Sequence, residues 1–494
     1  MEGFVEAFSF LTRVDVITFL ILGHIIGLVF GCLPGLSGVV ALSVVVPFSY
    51  GMEPVPAMFL FAGIMGSIIF GGSISAILIN TPGTAVNAAT CFDGFPMTQR
   101  GEGNKALGIS ATASGLGAIF GLCVLLAIMP VMRQAVLLFG PPEFFMLVMF
   151  GLVTVAYAAK GNIIKGLITG GLGVLISLIG YSNVFGILRF NFGSEYLWDG
   201  LSLVPFFIGI FAISELITLG VSGGGIAGER FKATGRVLDG VKEVFRHPIT
   251  FFRSSALGTL IGIIPGIGGT VANFLSYTTA MQFSKHPETF GGGDPEGVVA
   301  AESANNAKDG GALIPTVAFG IPGSAEMAVL LGAFVLHGLR TGPMLMRDHM
   351  EIVWALLLGL LISNILASSV GLIAANQLVK ITFIKVHYII PIVMALCFVG
   401  AFAVRGNIWD VVLVLVTGFL GYGMKKFGFP LVCLIIGFIL GELAELSFHQ
   451  SLMIARGSYA IFFTQPISLA LFILIIVVLL LPFMGRLVRR RNEK

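Results

Sequence analysis

Gly31-Cys32-Leu33-Pro34-Gly35-Leu36-Ser37-Gly38 returns 231 residues later as Gly262-Ile263-Ile264-Pro265-Gly266-Ile267-Gly268-Gly269. A second pair follows: Asn80-Thr81-Pro82-Gly83-Thr84-Ala85 and, offset by 240, Gly320-Ile321-Pro322-Gly323-Ser324-Ala325. Asp93-Gly94 is matched by His337-Gly338, and Lys160-Gly161-Asn162-Ile163 by Arg405-Gly406-Asn407-Ile408. Pro-Gly pairs are common in glycine-rich membrane chains, which explains one match. It does not explain four in one order with slowly growing offsets, the mark of an internal duplication. The expected organisation is a first membrane repeat over 1–220, a basic linker over 221–253, a second repeat over 254–447, and an extra span with a basic tail over 448–494.

Composition sets the medium in which these repeats fold. Only 11% of the 494 residues are charged, 56% are hydrophobic, and mean hydropathy is +1.00. Soluble domains run at about 25% charged, so a soluble enzyme, a nucleic-acid reader and a disordered scaffold are excluded. A helical span needs about 20 apolar residues, so this length allows roughly 11 to 13 of them. Continuous apolar runs such as 469–481 exclude an alternating outer-membrane barrel. The 66 glycines, about twice the usual share, read first as close helix packing. The five cysteines form no CxxC pair. The first apolar run lacks the layout of a cleavable signal peptide and is expected to belong to the mature structure.

Charge distribution orients the chain. The linker carries Arg230, Lys232, Arg236, Lys242, Arg246 and Arg253 against Glu229, Asp239 and Glu243, and the tail carries Arg486, Arg489, Arg490, Arg491 and Lys494. Excess Lys and Arg marks the cytoplasmic side. With an odd number of spans per half and one extra span over 467–483, both segments reach the cytoplasm, whereas an even number strands the tail outside. The expected fold is therefore an all-α polytopic membrane protein of about 11–12 spans, in two inverted-topology repeats with broken or re-entrant helices at the Pro-Gly motifs.

Those breaks are where chemistry is expected. Pro removes a backbone donor and Gly opens conformations closed to other residues. In lipid, irregular backbone survives only inside protein or beside a water-filled cavity, and matched breaks in two halves point to a transporter's binding site. A helix restarting after Pro-Gly offers N–H groups and a positive dipole end to an anion. The expected substrate-binding residues are Asn80, Thr81, Pro82, Gly83, Thr84, Pro322, Gly323 and Ser324, with Asn305 and Asn306 from the polar run Glu302–Gly311. A kink or a packing contact is the plain alternative. Carbonyls around Gly35 and Gly266, with Ser37 and Thr270, either hold a sodium ion or merely break helices. Lys308 and Asp309 either pair in the protein or lie in an aqueous loop, and Glu326 is either functional or interfacial. No P-loop, HExxH or GxSxG in a strand-to-helix setting occurs, and the basic clusters lack the aromatics of a nucleic-acid surface.

These motifs, together with Asp93-Gly94-Phe95-Pro96-Met97, Glu302-Ser-Ala-Asn-Asn and Phe319-Gly-Ile-Pro-Gly-Ser-Ala, occur in one order from about residue 15 to 485. In this the chain resembles the large membrane subunit of the tripartite tricarboxylate transporters, whose Pro-Gly motifs fall on Pro34-Gly35, Pro82-Gly83, Pro265-Gly266 and Pro322-Gly323. The resemblance implies a multi-pass carrier of the bacterial inner membrane, not an enzyme. It implies import of di- or tricarboxylates by cation symport, with sodium as coupling ion and no other cofactor. It also implies two partners, a small membrane subunit and a periplasmic solute-binding protein. The competing readings are a carboxylate-selective channel and a stand-alone proton-coupled permease. Saturable, sodium-dependent transport separates the carrier from both.

Overall fold

Apolar runs leave the backbone no water to bond, so in a membrane they fold as helices. The computed structural model describes residues 8–492 apart from 137, 159–162, 183, 222–233, 267, 379, 382–383 and 385. Among the described residues the regular structure is helical except for one small hairpin, Gly180–Ser182 paired antiparallel with Ile187–Arg189. Eight helices among the described residues are long and apolar enough to cross a membrane, from Val14–Cys32 to Leu431–Ile454. Five shorter apolar helices accompany them. The protein is an all-α polytopic membrane protein. The matched segment 160–162 and linker residues Glu229, Arg230 and Lys232 lie outside the described residues, as do 222–225 and Lys494.

The quoted motifs are helix breaks. Val14–Cys32 ends before Gly38–Val45 begins, and Pro248–Ile263 ends before Gly268–Phe283. Each is followed by a long helix, Pro54–Ile79 or Pro295–Phe319, and each pair packs closely. The reason is glycine at equivalent places. A Cβ on Gly27 would lie 2.5 Å from the Ile64 carbonyl oxygen, and one on Gly31 would lie 2.2 Å from that of Ile68. In the other half a Cβ on Gly258 would lie 2.5 Å from the Ala304 carbonyl oxygen, and one on Gly262 2.2 Å from that of Lys308. Small residues thus let the backbones touch, which is how membrane helices associate where no hydrophobic drive exists.

Pro295–Phe319 is the helix that hydropathy misses. Its 25 residues span about 37 Å at 1.5 Å each, enough for a bilayer core of about 30 Å, yet it carries Glu302, Asn305, Asn306, Lys308 and Asp309. Burial inside the protein resolves the conflict: all but Asp309 of these are buried, and Asp309 is nearly so. The helix Gly103–Val136 from the first half lies against it, with Gly117 on the Ser303 carbonyl and Gly121 on that of Ala307. The two halves therefore share their most polar helix. Asp93 adds a clasp, accepting from the Gly293 and Asp294 amides at 2.8 Å and from the Tyr277 hydroxyl at 2.8 Å. The stretch 93–97 lies within the helix Thr90–Gln99, which carries Pro96 inside it.

Candidate functional site

Both long helices stop in the left-handed region, at Asn80 (φ 55°) and Gly320 (φ 70°). Asn is among the few non-glycine residues that adopt this conformation readily. Pro82 and Pro322 then prevent the helix from resuming. Thr81 N bonds the Ser75 carbonyl, and Ile321 N bonds that of Pro315 at the matched position. Asn80 itself is exposed, and its backbone N–H bonds the Ser75 carbonyl.

The next residue pair shows why glycine is required. A Cβ on Gly83 would fall 2.0 Å from the Gly31 carbonyl oxygen, and the Gly323 carbonyl accepts from Gly266 N at 3.4 Å. In each half the second break leans on the first. The restarts differ. Ser324 caps the helix Ala325–Leu336 by accepting from Met327 N, whereas Thr84 opens only a three-residue turn, 85–87, and donates to Asn87 Oδ1 at 2.6 Å. Gly83 N and Gly323 N are already bonded, to the Gly72 carbonyl and to Thr316 Oγ1.

A cavity forms where the halves meet. Thr84, Val86 and Gly38 come from the first half, and Lys308, Asp309 and Glu326 from the second. Its volume is about 10 Å³, room for one water molecule. Lys308 is 3% exposed and donates to Asp309 Oδ1 at 2.6 Å, so the two pair inside the protein rather than in an aqueous loop. Glu326 reaches this cavity, with Gly38 against its side chain. Ser324 does not line it and spends its hydroxyl on the cap.

The two asparagines sit on the same helix with half their amide functions free. Asn305 Oδ1 accepts from Asn273 Nδ2 at 2.8 Å, and Asn306 Nδ2 donates to Asn364 Oδ1 at 2.7 Å. Asn305 Nδ2 and Asn306 Oδ1 are buried without a partner among the described residues. Gly35 (φ 87°) and Gly266 (φ 80°) turn the first breaks. Ser37 stands at the start of Gly38–Val45 with its side chain making no capping bond, and Thr270 is half-buried in the first turn of Gly268–Phe283. The second break also lies against Lys308, since a Cβ on Gly269 would meet its Cε at 2.5 Å.

Sequence reasoning assigned no role to Glu302 and passed over Ser73, Thr90, Ser110 and Ser114, all of which surround it. The i,i+4 spacing of Ser110 and Ser114 was a signal that they share a face. A wider pocket, about 440 Å³, opens far from the breaks beside the hairpin, where Arg189 Nη2 meets Glu445 Oε2 at 2.9 Å.

Residues 17–436 match the family described as the tripartite tricarboxylate transporter TctA family. The chain is 33% identical over 486 residues to an uncharacterized 52.8 kDa protein in the TAR-I ttuC' 3' region of Agrobacterium vitis, covering 96% of this chain and 94% of that one. It is also 33% identical over 236 residues to an uncharacterized protein in the TAR-II ttuC' 3' region of the same organism, covering 48% of this chain and 98% of that one. No solved structure matches it.

Proposed function

The chain belongs to the tripartite tricarboxylate transporter TctA family, and on that premise we propose that it is the permease of a binding-protein-dependent carrier that imports di- or tricarboxylates with sodium. Its proposed partners are a small membrane subunit and a periplasmic solute-binding protein, and its proposed place is a bacterial inner membrane. The observation that carries the reading is the cavity between the breaks, where Thr84 of one half faces Lys308 of the other. A buried ammonium is what a carboxylate seeks, and Asp309 holds that charge in balance until the anion arrives. Asn305 is proposed to donate its free Nδ2 hydrogens to the carboxylate and Asn306 Oδ1 to accept from a substrate hydroxyl once the helices part, with the Pro82-Gly83 and Pro322-Gly323 breaks as hinges.

Sodium enters through the energetics. Moving one negative charge inward against about 100 mV costs about 2.3 kcal/mol, so a trianion costs about 7 kcal/mol, a ratio on the order of 10⁵ in the wrong direction. Accumulation needs cations that at least neutralise the substrate. The carbonyl turns at Gly35 and Gly266, with Ser37 and Thr270, are the proposed holders. The test is uptake of labelled citrate and of smaller dicarboxylates by proteoliposomes containing both partners. Replacing sodium with choline at fixed pH and potential is expected to abolish accumulation. Undiminished uptake in choline would make the carrier proton-coupled.

A further inference from the structure

Glu302 is wholly buried in the first third of the shared helix, and among the described residues it forms no ion pair. Four hydroxyls converge on it. Ser73 Oγ lies 3.0 and 2.8 Å from its two carboxylate oxygens, Thr90 Oγ1 2.5 Å from Oε1, and Ser110 Oγ and Ser114 Oγ 2.8 and 2.7 Å from Oε2. All four belong to the first half of the chain and Glu302 to the second. Hydroxyl donors stabilise a carboxylate but do not cancel its charge, and a lone buried charge is costly unless something of opposite sign completes it.

We propose that Glu302, with Ser73, Thr90, Ser110 and Ser114, forms a sodium site additional to the turns at Gly35 and Gly266. The ligand set is six oxygens, two from the carboxylate and four hydroxyls that turn their lone pairs inward as their protons rotate away. Oxygen donors suit a hard cation. A single carboxylate selects a monovalent ion, because a divalent one leaves a net positive charge buried. A proton neutralises the carboxyl but makes no use of four hydroxyl lone pairs. The identity of the ion rests on the sodium-coupled reading above.

The site is tied to the substrate cavity by a short chain of bonds. Ser73 Oγ accepts from Asn87 Nδ2 at 2.8 Å, and Asn87 Oδ1 accepts from Thr84 Oγ1 at 2.6 Å. Thr84 lines the cavity with Lys308. Rotating Ser73 to face a cation removes the hydrogen it gives Glu302, frees its contact with Asn87, and so changes what Thr84 presents. Cation binding thereby reaches the anion site through three side chains of the first half, set between Glu302 and Lys308 of the second.

The experiment uses the full chain, purified for melting measurements and reconstituted with both partners for uptake. Exchanging choline for sodium at constant pH and ionic strength is expected to raise the melting temperature of the wild type saturably. Glu302→Gln is expected to keep its melting temperature in choline and to lose the part of the sodium response that this site supplies. Because that variant can misfold, the double variant Ser110→Ala, Ser114→Ala keeps the carboxylate. It is expected to raise the sodium midpoint by at least about tenfold in both melting and uptake. Wild-type midpoints in these variants overturn the site, while sodium-dependent wild-type uptake in the same experiment leaves the functional reading intact. Loss of only a pH response in Glu302→Gln makes the carboxyl a proton carrier and also overturns the sodium site. Sodium-independent wild-type uptake with a Glu302-dependent melting shift keeps the site and overturns the coupling. Sodium indifference in both assays overturns both.

Discussion

Lys308 holds its ammonium 2.6 Å from Asp309 with 3% of its side chain exposed. The pair stands beside Thr84 and Glu326 in a cavity with room for one water. Breaking such a pair leaves a bare charge, which costs about 3–5 kcal/mol, whereas replacing both partners by neutral groups is close to neutral. Lys308→Met alone is therefore expected to lower the melting temperature sharply, and Lys308→Met with Asp309→Asn to restore it. Uptake is expected to stay absent in both. Recovery of carboxylate uptake in the double variant would remove Lys308 from the binding site. The free amide atoms of Asn305 and Asn306 follow another logic. Each stays buried without a partner among the described residues, at a penalty of about 1–3 kcal/mol, and a carboxylate between parted helices would relieve the Asn305 Nδ2 donor.

Between elements, glycine decides which helices touch. Gly31 and Gly262 occupy matched positions, and an added methyl carbon would stand 2.2 Å from a helix carbonyl oxygen in either half. Backbone at both sides of the contact cannot yield as a flexible side chain does. Gly31→Ala and Gly262→Ala are each expected to destabilise by about 1–3 kcal/mol, as overpacking does, read as lower melting temperatures in detergent. Gly171→Ala is the control. It lies in the Ile163–Ser177 helix with nothing within 4 Å of the new carbon, and alanine there is expected to stabilise by roughly 0.5–1 kcal/mol. Equal effects at all three positions would show that helix propensity, not contact, governs these sites.

For the whole molecule, sidedness follows from counting crossings. The hairpin Gly180–Arg189 and the helix Val237–Arg246 are separated by one apolar helix of spanning length, Leu203–Val221. A crossing by that helix places them on opposite faces, and the excess of Lys and Arg predicts that the linker's face is the cytoplasmic one. In a cysteine-free background, an impermeant maleimide applied to intact cells is expected to label Tyr181→Cys, which is 56% exposed, and to spare Lys242→Cys. Labelling of both would refute the crossing. The inverted arrangement expected from the sequence predicts that a tag after residue 494 shares the linker's side. A tag reached from outside would favour parallel repeats.

What the sequence determined by itself is what is local along the chain. Continuous apolar runs dictate helices in lipid whatever surrounds them. Pro-Gly pairs stop those helices wherever they occur, so the breaks at 34–35, 82–83, 265–266 and 322–323 were legible, and so was the family their order resembles. Tertiary structure decided what depends on neighbours. Hydropathy could not place Pro295–Phe319 among the long helices, because its polar run is tolerated only inside a shell of other helices. Asn80 became a helix stop through its left-handed backbone, and Ser324, equivalent in pattern to the cavity residue Thr84, became a helix cap, since local backbone groups claim a nearby side chain first. Glu302 drew no role from its own stretch of chain. Its four hydroxyls stand at 73, 90, 110 and 114, and only the glycine-mediated approach of Gly103–Val136 to Pro295–Phe319 brings Ser110 and Ser114 to it.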